Sequence, residues 1–117
     1  LLLVVHGLPR GRFLRLEESL PVEARIEPRL TFGDPEHPAI ALSPVFKTRE
    51  EVGTGSPLFL DMVEDARVLY DPDGFLGRSF DRLRARLCQL GARRIWRGNA
   101  WYWELKPDLK PGEVFAL

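Results

Sequence analysis

Cysteine is almost absent from this chain: its 117 residues include one, Cys88. A single thiol excludes an internal disulfide framework and any multi-cysteine zinc site. It points to a reducing compartment, read here as the cytoplasm. Charge of either sign is not in excess either, because 17 Lys and Arg cancel 17 Asp and Glu. No global field therefore recruits nucleic acid or an anionic membrane, though a local basic patch stays open. No apolar run reaches the ~18 residues of a membrane-spanning helix. The first five residues lack both the basic start and the cleavage site of a signal peptide. Glutamine is nearly missing and arginine far exceeds lysine, a lean towards a GC-rich or thermophilic source. No repeat or low-complexity tract is visible. What remains, 44% hydrophobic and 29% charged residues, is the composition of an ordinary globular protein. Its length suits one domain over 1–117.

An initiator Met is missing as well, and the chain opens on Leu1-Leu2-Leu3-Val4-Val5. A short apolar run closed by Gly7-Leu8-Pro9 reads as a buried strand. Such a strand needs neighbours on both sides, and chemistry in α/β proteins sits beside strand ends. The expectation is an N-terminally truncated domain whose upstream residues matter for folding and function. The alternative is an edge strand behind a trimmed tail.

Residues 10–29 are rich in charge, with Phe13, Leu16 and Leu20 at helical spacing and Glu17-Glu18 towards water. Residues 22–32 alternate like a strand, yet Val22, Ile26 and Leu30 also fall at i, i+4, i+8. Pro28 weakens either continuation, and the helix is the expectation. Residues 33–38 form a loop by composition. Residues 39–47 read as a second strand, and Thr48-Arg49-Glu50-Glu51 as a capping box opening a short helix stopped by Gly53 and Gly55.

Ser56 then caps a helix with Pro57 at its first position and Leu58, Phe59, Met62, Val63 and Ala66 as its buried stripe. Asp61, Glu64 and Asp65 face the other way. Val68-Leu69-Tyr70 reads as a third strand. Asp71 and Pro72 start a long helix with the seam Phe80, Leu83, Leu87 and Leu90, ended by Gly91 in the left-handed conformation.

The segment 92–117 is different in kind. Trp96, Trp101, Tyr102 and Trp103 are interleaved with Arg93, Arg94, Arg97 and Asn99. Aromatic and guanidinium groups together can stack a base and hold a phosphate. Equally, and in the favoured reading, they form an apolar cap on an open side of the sheet, with arginine stems lying over it. Residues 106–112 are an irregular, ordered tail, with Val114, Phe115 and Leu117 left to bury apolar surface. Pro9-Arg10-Gly11-Arg12 offers two guanidinium groups to a phosphate or forms a solvated turn. His6 and His37 lack a third ligand at metal-site spacing, and Cys88 reads as a packing residue. Ser43 and Ser56 have no nucleophile-elbow context.

Three segments in combination carry a resemblance. They are Ser56-Pro57-Leu58-Phe59-Leu60-Asp61-Met62-Val63-Glu64-Asp65-Ala66 running into Val68-Leu69-Tyr70-Asp71, Leu42-Ser43-Pro44-Val45-Phe46-Lys47-Thr48, and Arg97-Gly98-Asn99-Ala100-Trp101-Tyr102-Trp103-Glu104-Leu105-Lys106-Pro107-Asp108. They resemble small prokaryotic nucleotidyltransferase-domain proteins of the DNA polymerase β superfamily, minimal type. The resemblance covers most of the chain from Ala39 onward, and residues 1–12 fit it too. It implies a Gly-Ser phosphate-gripping motif and an Asp-x-Asp metal pair immediately upstream of Leu1, so that this chain lacks them. It implies Mg²⁺ for the parent family, not bound by this chain, since two ions held by clustered carboxylates would activate the hydroxyl and neutralise pyrophosphate. A third carboxylate is due on the next core strand, but Ala41 and Leu42 stand where it would be wanted. Glu23 or Glu27 substitutes only if residues 22–32 form that strand.

Three functional readings follow. In the first, the parent moves a nucleoside monophosphate from an NTP to a protein or nucleic-acid hydroxyl, and this chain, itself inactive, supplies the back of the fold. Arg10, Arg12, Arg97, Asn99 and Trp101 then contact substrate. In the second, the chain is a non-catalytic, antitoxin-like module for a helical partner protein. The third is a degenerate domain with no activity of its own. The expected architecture is α+β, nucleotidyltransferase-like: a mixed sheet of three to four strands, helices on one face, and the aromatic tail sealing an end or edge. An edge left open by a missing first strand predicts a dimer or higher oligomer.

Overall fold

A parallel pair of strands needs a long crossover, and the first half of the chain supplies one. The computed structural model describes residues 1–30 and 42–117. Strand β1 (Leu2–Val4) leads through a turn into helix α1 (Arg12–Leu30), and β2 (Val45–Lys47) returns parallel to β1, with Leu2 opposite Val45 and Val4 opposite Lys47. Helix α2 (Arg49–Thr54) follows directly. Helix α1 runs continuously through Pro21 and Pro28, so residues 22–30 take the helical alternative; Thr31 and Phe32 lie outside the described residues. The second strand is shorter than its apolar pattern: Leu42 to Pro44 are irregular, and 39–41 lie outside the described residues. So do the loop expected at 33–38 and His37.

The chain divides into two compact units, Leu1–Val52 and Gly53–Leu117. The second is built on α3 (Leu58–Asp65) and α4 (Phe75–Leu90), followed by the antiparallel hairpin β3 (Arg93–Arg97) and β4 (Ala100–Glu104). Phe59, Leu60 and Val63 of α3 pack with Phe80, Leu87 and Leu90 of α4 as its buried core. The Phe59 and Phe80 rings lie 6.4 Å apart and tilted. Gly91 ends α4 at φ 69°, a conformation that spares glycine the Cβ clash other residues meet. The fold is thus a small mixed α+β protein, with four helices and two small sheets among the described residues.

Several expectations are corrected. A single mixed sheet of three to four strands is replaced by two separate two-stranded sheets. Val68-Leu69-Tyr70 is not a strand, since three residues with no partner among the described residues do not sustain a ladder; Tyr70 is 85% exposed. Helix α3 starts at Leu58 rather than Pro57, with the Ser56 hydroxyl accepting from Leu58 N at 3.3 Å. Its buried stripe includes Leu60 and leaves Leu58 and Ala66 exposed. Helix α4 starts at Phe75, after a turn holding Pro72. Asp71 still caps it from a distance, accepting from Leu76 N at 3.2 Å and Gly77 N at 2.9 Å. The aromatic tail makes a two-stranded sheet of its own. Of its last residues Val114 and Leu117 stay exposed, and Phe115 is half-buried.

Candidate functional site

In the first unit the chain entering α1 meets β2 and α2 around a cleft of about 680 Å³. Arg10 and Arg12 come from the loop and the first helical position, Arg15 from the next turn, Lys47 from the end of β2 and Glu51 from α2. Arg15 is the internal tie. Its Nε donates to Pro9 O at 2.7 Å, Nη1 to Phe46 O at 3.2 Å and to Glu51 Oε2 at 2.8 Å, and Nη2 to Glu51 Oε1 at 2.9 Å. A guanidinium has five N–H donors, so Arg15 is nearly saturated. Glu51 in turn completes the capping box: Thr48 N donates to Oε2 at 2.9 Å and Glu51 N to the Thr48 hydroxyl at 3.2 Å. The fork of Arg15, aided by the Thr48 N–H, holds the Glu51 carboxyl at a pKa of about 2.

That pairing decides the electrostatics of the cleft. Among the described residues four cations line it against one carboxylate, and Glu51 is committed to Arg15. Arg10 and Arg12 form no ion pair among the described residues, and both are exposed. Carboxyl ends of parallel strands are where α/β sheets gather ligands. Here both the loop carrying Arg10 and the side chain of Lys47 belong to those ends. His6, just beyond β1, is exposed.

The second unit presents the other candidate residues. On the hairpin, Trp96 pairs with Trp101 across the strands, ring centroids 4.8 Å apart and tilted by 47°. Arg97 and Ala100 flank a two-residue Gly98-Asn99 turn in which Gly98 has φ 63° and Asn99 a negative φ, the pattern of a type II′ turn. Asp61 of α3 faces away from the buried stripe, as its spacing predicts, but not into open water. Instead its Oδ1 accepts the indole N–H of both Trp101 and Trp103 at 2.8 Å. Those two bonds, with Arg94 nearby, hold the Asp61 carboxyl below its ordinary range. Arg94 bridges to Asp65 and lies 5.5 Å from the Trp96 ring and 5.6 Å from the Trp101 ring. Arg97 lies 5.7 Å from the Tyr102 ring.

The proposed substrate residues therefore split. Arg10 and Arg12 share the cleft of the first unit, while Arg97, Asn99 and Trp101 share the hairpin of the second. Glu23 and Glu27 are corrected as catalytic candidates, because residues 22–30 are helix rather than strand. Glu23 instead stands within hydrogen-bond distance of the Ser19 hydroxyl, and Glu27 is exposed. Among the described residues no three His, Cys, Asp or Glu side chains gather as a metal-binding group. Arg15 and Asp61 went unrecognised in the sequence. No helix among the described residues is long and apolar enough to cross a membrane. Comparison with protein-family models, curated proteins and solved structures finds no match to this chain.

Proposed function

We propose that the first unit binds the phosphate groups of a nucleotide, as the substrate-holding portion of a nucleotidyltransferase-like domain that is not itself catalytic. The observation carrying this reading is the cleft in which, among the described residues, Arg10 and Arg12 form no ion pair while the lining carboxylate of Glu51 is held by Arg15. Guanidinium groups bind phosphate oxygens with paired, charge-assisted hydrogen bonds. The transfer reaction implied by the resemblance asks for clustered carboxylates to hold Mg²⁺. The described donor set does not fit that ion, so no step is assigned to it.

Calorimetry with ATP and with inorganic pyrophosphate tests the reading. Both should bind, ATP without needing Mg²⁺, and Arg10→Ala/Arg12→Ala should weaken binding by at least about tenfold, as loss of charge-assisted bonds does. Absence of binding at millimolar ligand would sink it.

A second reading, an interaction module for a helical partner or a second copy, is favoured by the apolar face of α1. Phe13 is 81% exposed, and Leu20, two turns on, is exposed with it. A strictly monomeric chain in light scattering at micromolar concentration would remove the self-association half of this reading.

A further inference from the structure

We infer that the tip of the β3–β4 hairpin is a stacking platform for single-stranded nucleic acid, a site separate from the phosphate cleft. On one face of the tip the cross-strand pair stays open, Trp96 at 56% and Trp101 at 42% exposed, while Tyr102, opposite Ile95 and 44% exposed, belongs to the other face. Two features hold the Trp96–Trp101 pair in place. The Trp101 and Trp103 indole N–H groups are both consumed by Asp61 of α3, which anchors the strand through the face that carries them. Arg94, itself tied to Asp65, lies over the Trp96–Trp101 pair and draws on their π-electrons.

The chemistry of the tip selects the ligand. With the Trp101 donor spent, that ring offers its face rather than a hydrogen-bonding edge. This suits nucleobases, each of which has a π-face, better than sugars, which need many polar partners. Duplex DNA keeps its faces stacked away, so the bases must come from a single strand. Charge agrees: Arg93 is paired with Glu104 and Arg94 with Asp65, but Arg97, beside the turn, forms no ion pair among the described residues. Arg97 therefore supplies one cation for a backbone phosphate, and the exposed Asn99 amide is its polar neighbour. One phosphate contact predicts weak, salt-tolerant binding, with a slope of log K against log salt of about −0.7.

The experiment is a titration of the full chain with a labelled oligothymidylate and with dTMP, read by anisotropy and by quenching of tryptophan emission. Wild type should bind the oligomer more tightly than dTMP and with the shallow salt slope. Trp96→Ala should weaken the oligomer by about tenfold or more, the cost of losing one stacked base. Trp96→Phe should restore most of that binding, and Arg97→Ala should flatten the salt dependence. Circular dichroism confirms that each variant is folded. The same titration on Arg10→Ala/Arg12→Ala separates the two sites: oligomer binding kept there and lost in Trp96→Ala places the strand on the hairpin. Binding lost in the cleft variant but kept in Trp96→Ala overturns the proposal, as does no quenching at low salt or equal affinity for dTMP.

Discussion

At the residue scale the most consequential contact is the fork between Arg15 and Glu51. Its geometry asks for a planar guanidinium, because two parallel N–H groups meet two carboxylate oxygens while Nε and Nη1 also reach Pro9 O and Phe46 O. An ammonium group cannot make that set. Arg15→Lys should therefore lower the unfolding midpoint by several degrees even though charge is kept, measured by circular dichroism at 222 nm. A midpoint equal to wild type would mean the pair contributes only charge. The same contact sets an acid limit. The Glu51 carboxyl is lowered from 4.5 to about 2, so its contribution to stability is complete above about pH 4.5 and fades as pH falls towards 2. Glu51→Gln should be less stable at neutral pH and should lose less between pH 4.5 and 2 than wild type does. Parallel acid profiles would show that some other carboxylate governs that window. Half of this contact was legible beforehand. Thr48-x-x-Glu51 announces a capping box because its partners are three residues apart. Nothing local announces Arg15, whose partner is 36 residues away along the chain.

At the element scale α1 holds its form against its own sequence. Pro21 and Pro28 each withdraw a backbone donor from the helix interior, a cost of about 3 kcal/mol per proline. Pro21→Ala should stabilise the first unit by about 2 kcal/mol, the restored helix being partly offset by a freer unfolded chain. Greater ellipticity and a higher urea midpoint are the expected readouts. A lower midpoint would mean that the proline's rigidity outweighs its missing hydrogen bond. The helices were the readable part of this fold, since the 3–4–3 spacing of Phe80, Leu83, Leu87 and Leu90 and the closing Gly91 encode their own geometry. Strands were harder. Val68-Leu69-Tyr70 has strand composition but takes no strand pairing among the described residues. The Gly98-Asn99 pair between β-rich runs is the local signal of a two-residue hairpin, and aromatic and arginine composition alone does not display it. Asp61 does face away from the α3 stripe, but only the hairpin's register brings two indoles to it, and that register is not local to α3.

At the scale of the whole molecule the two units differ in what their described residues bury. Among these the first buries Val52 and Ser19, whereas the second buries Phe59, Leu60, Val63, Phe80, Leu87 and Leu90. Since each fully buried large apolar side chain contributes about 1.5–3 kcal/mol, the second unit should outlast the first. All three tryptophans belong to the second unit, and the longest helix belongs to the first. Heating should thus give two transitions, an early loss of helical ellipticity and a later shift of tryptophan emission. Coincident curves would show that the two units unfold together. The Arg15–Glu51 tie has a further bearing on how the chain is made. A ribosome adding about 5–20 residues per second leaves roughly 2–7 s between the two halves of that contact. Over the same interval the apolar strand β1 waits for β2, its parallel partner, to be synthesised. A nascent chain thus carries an unpaired apolar strand for seconds, and it is in this window that a chaperone, or another nascent copy, meets it first.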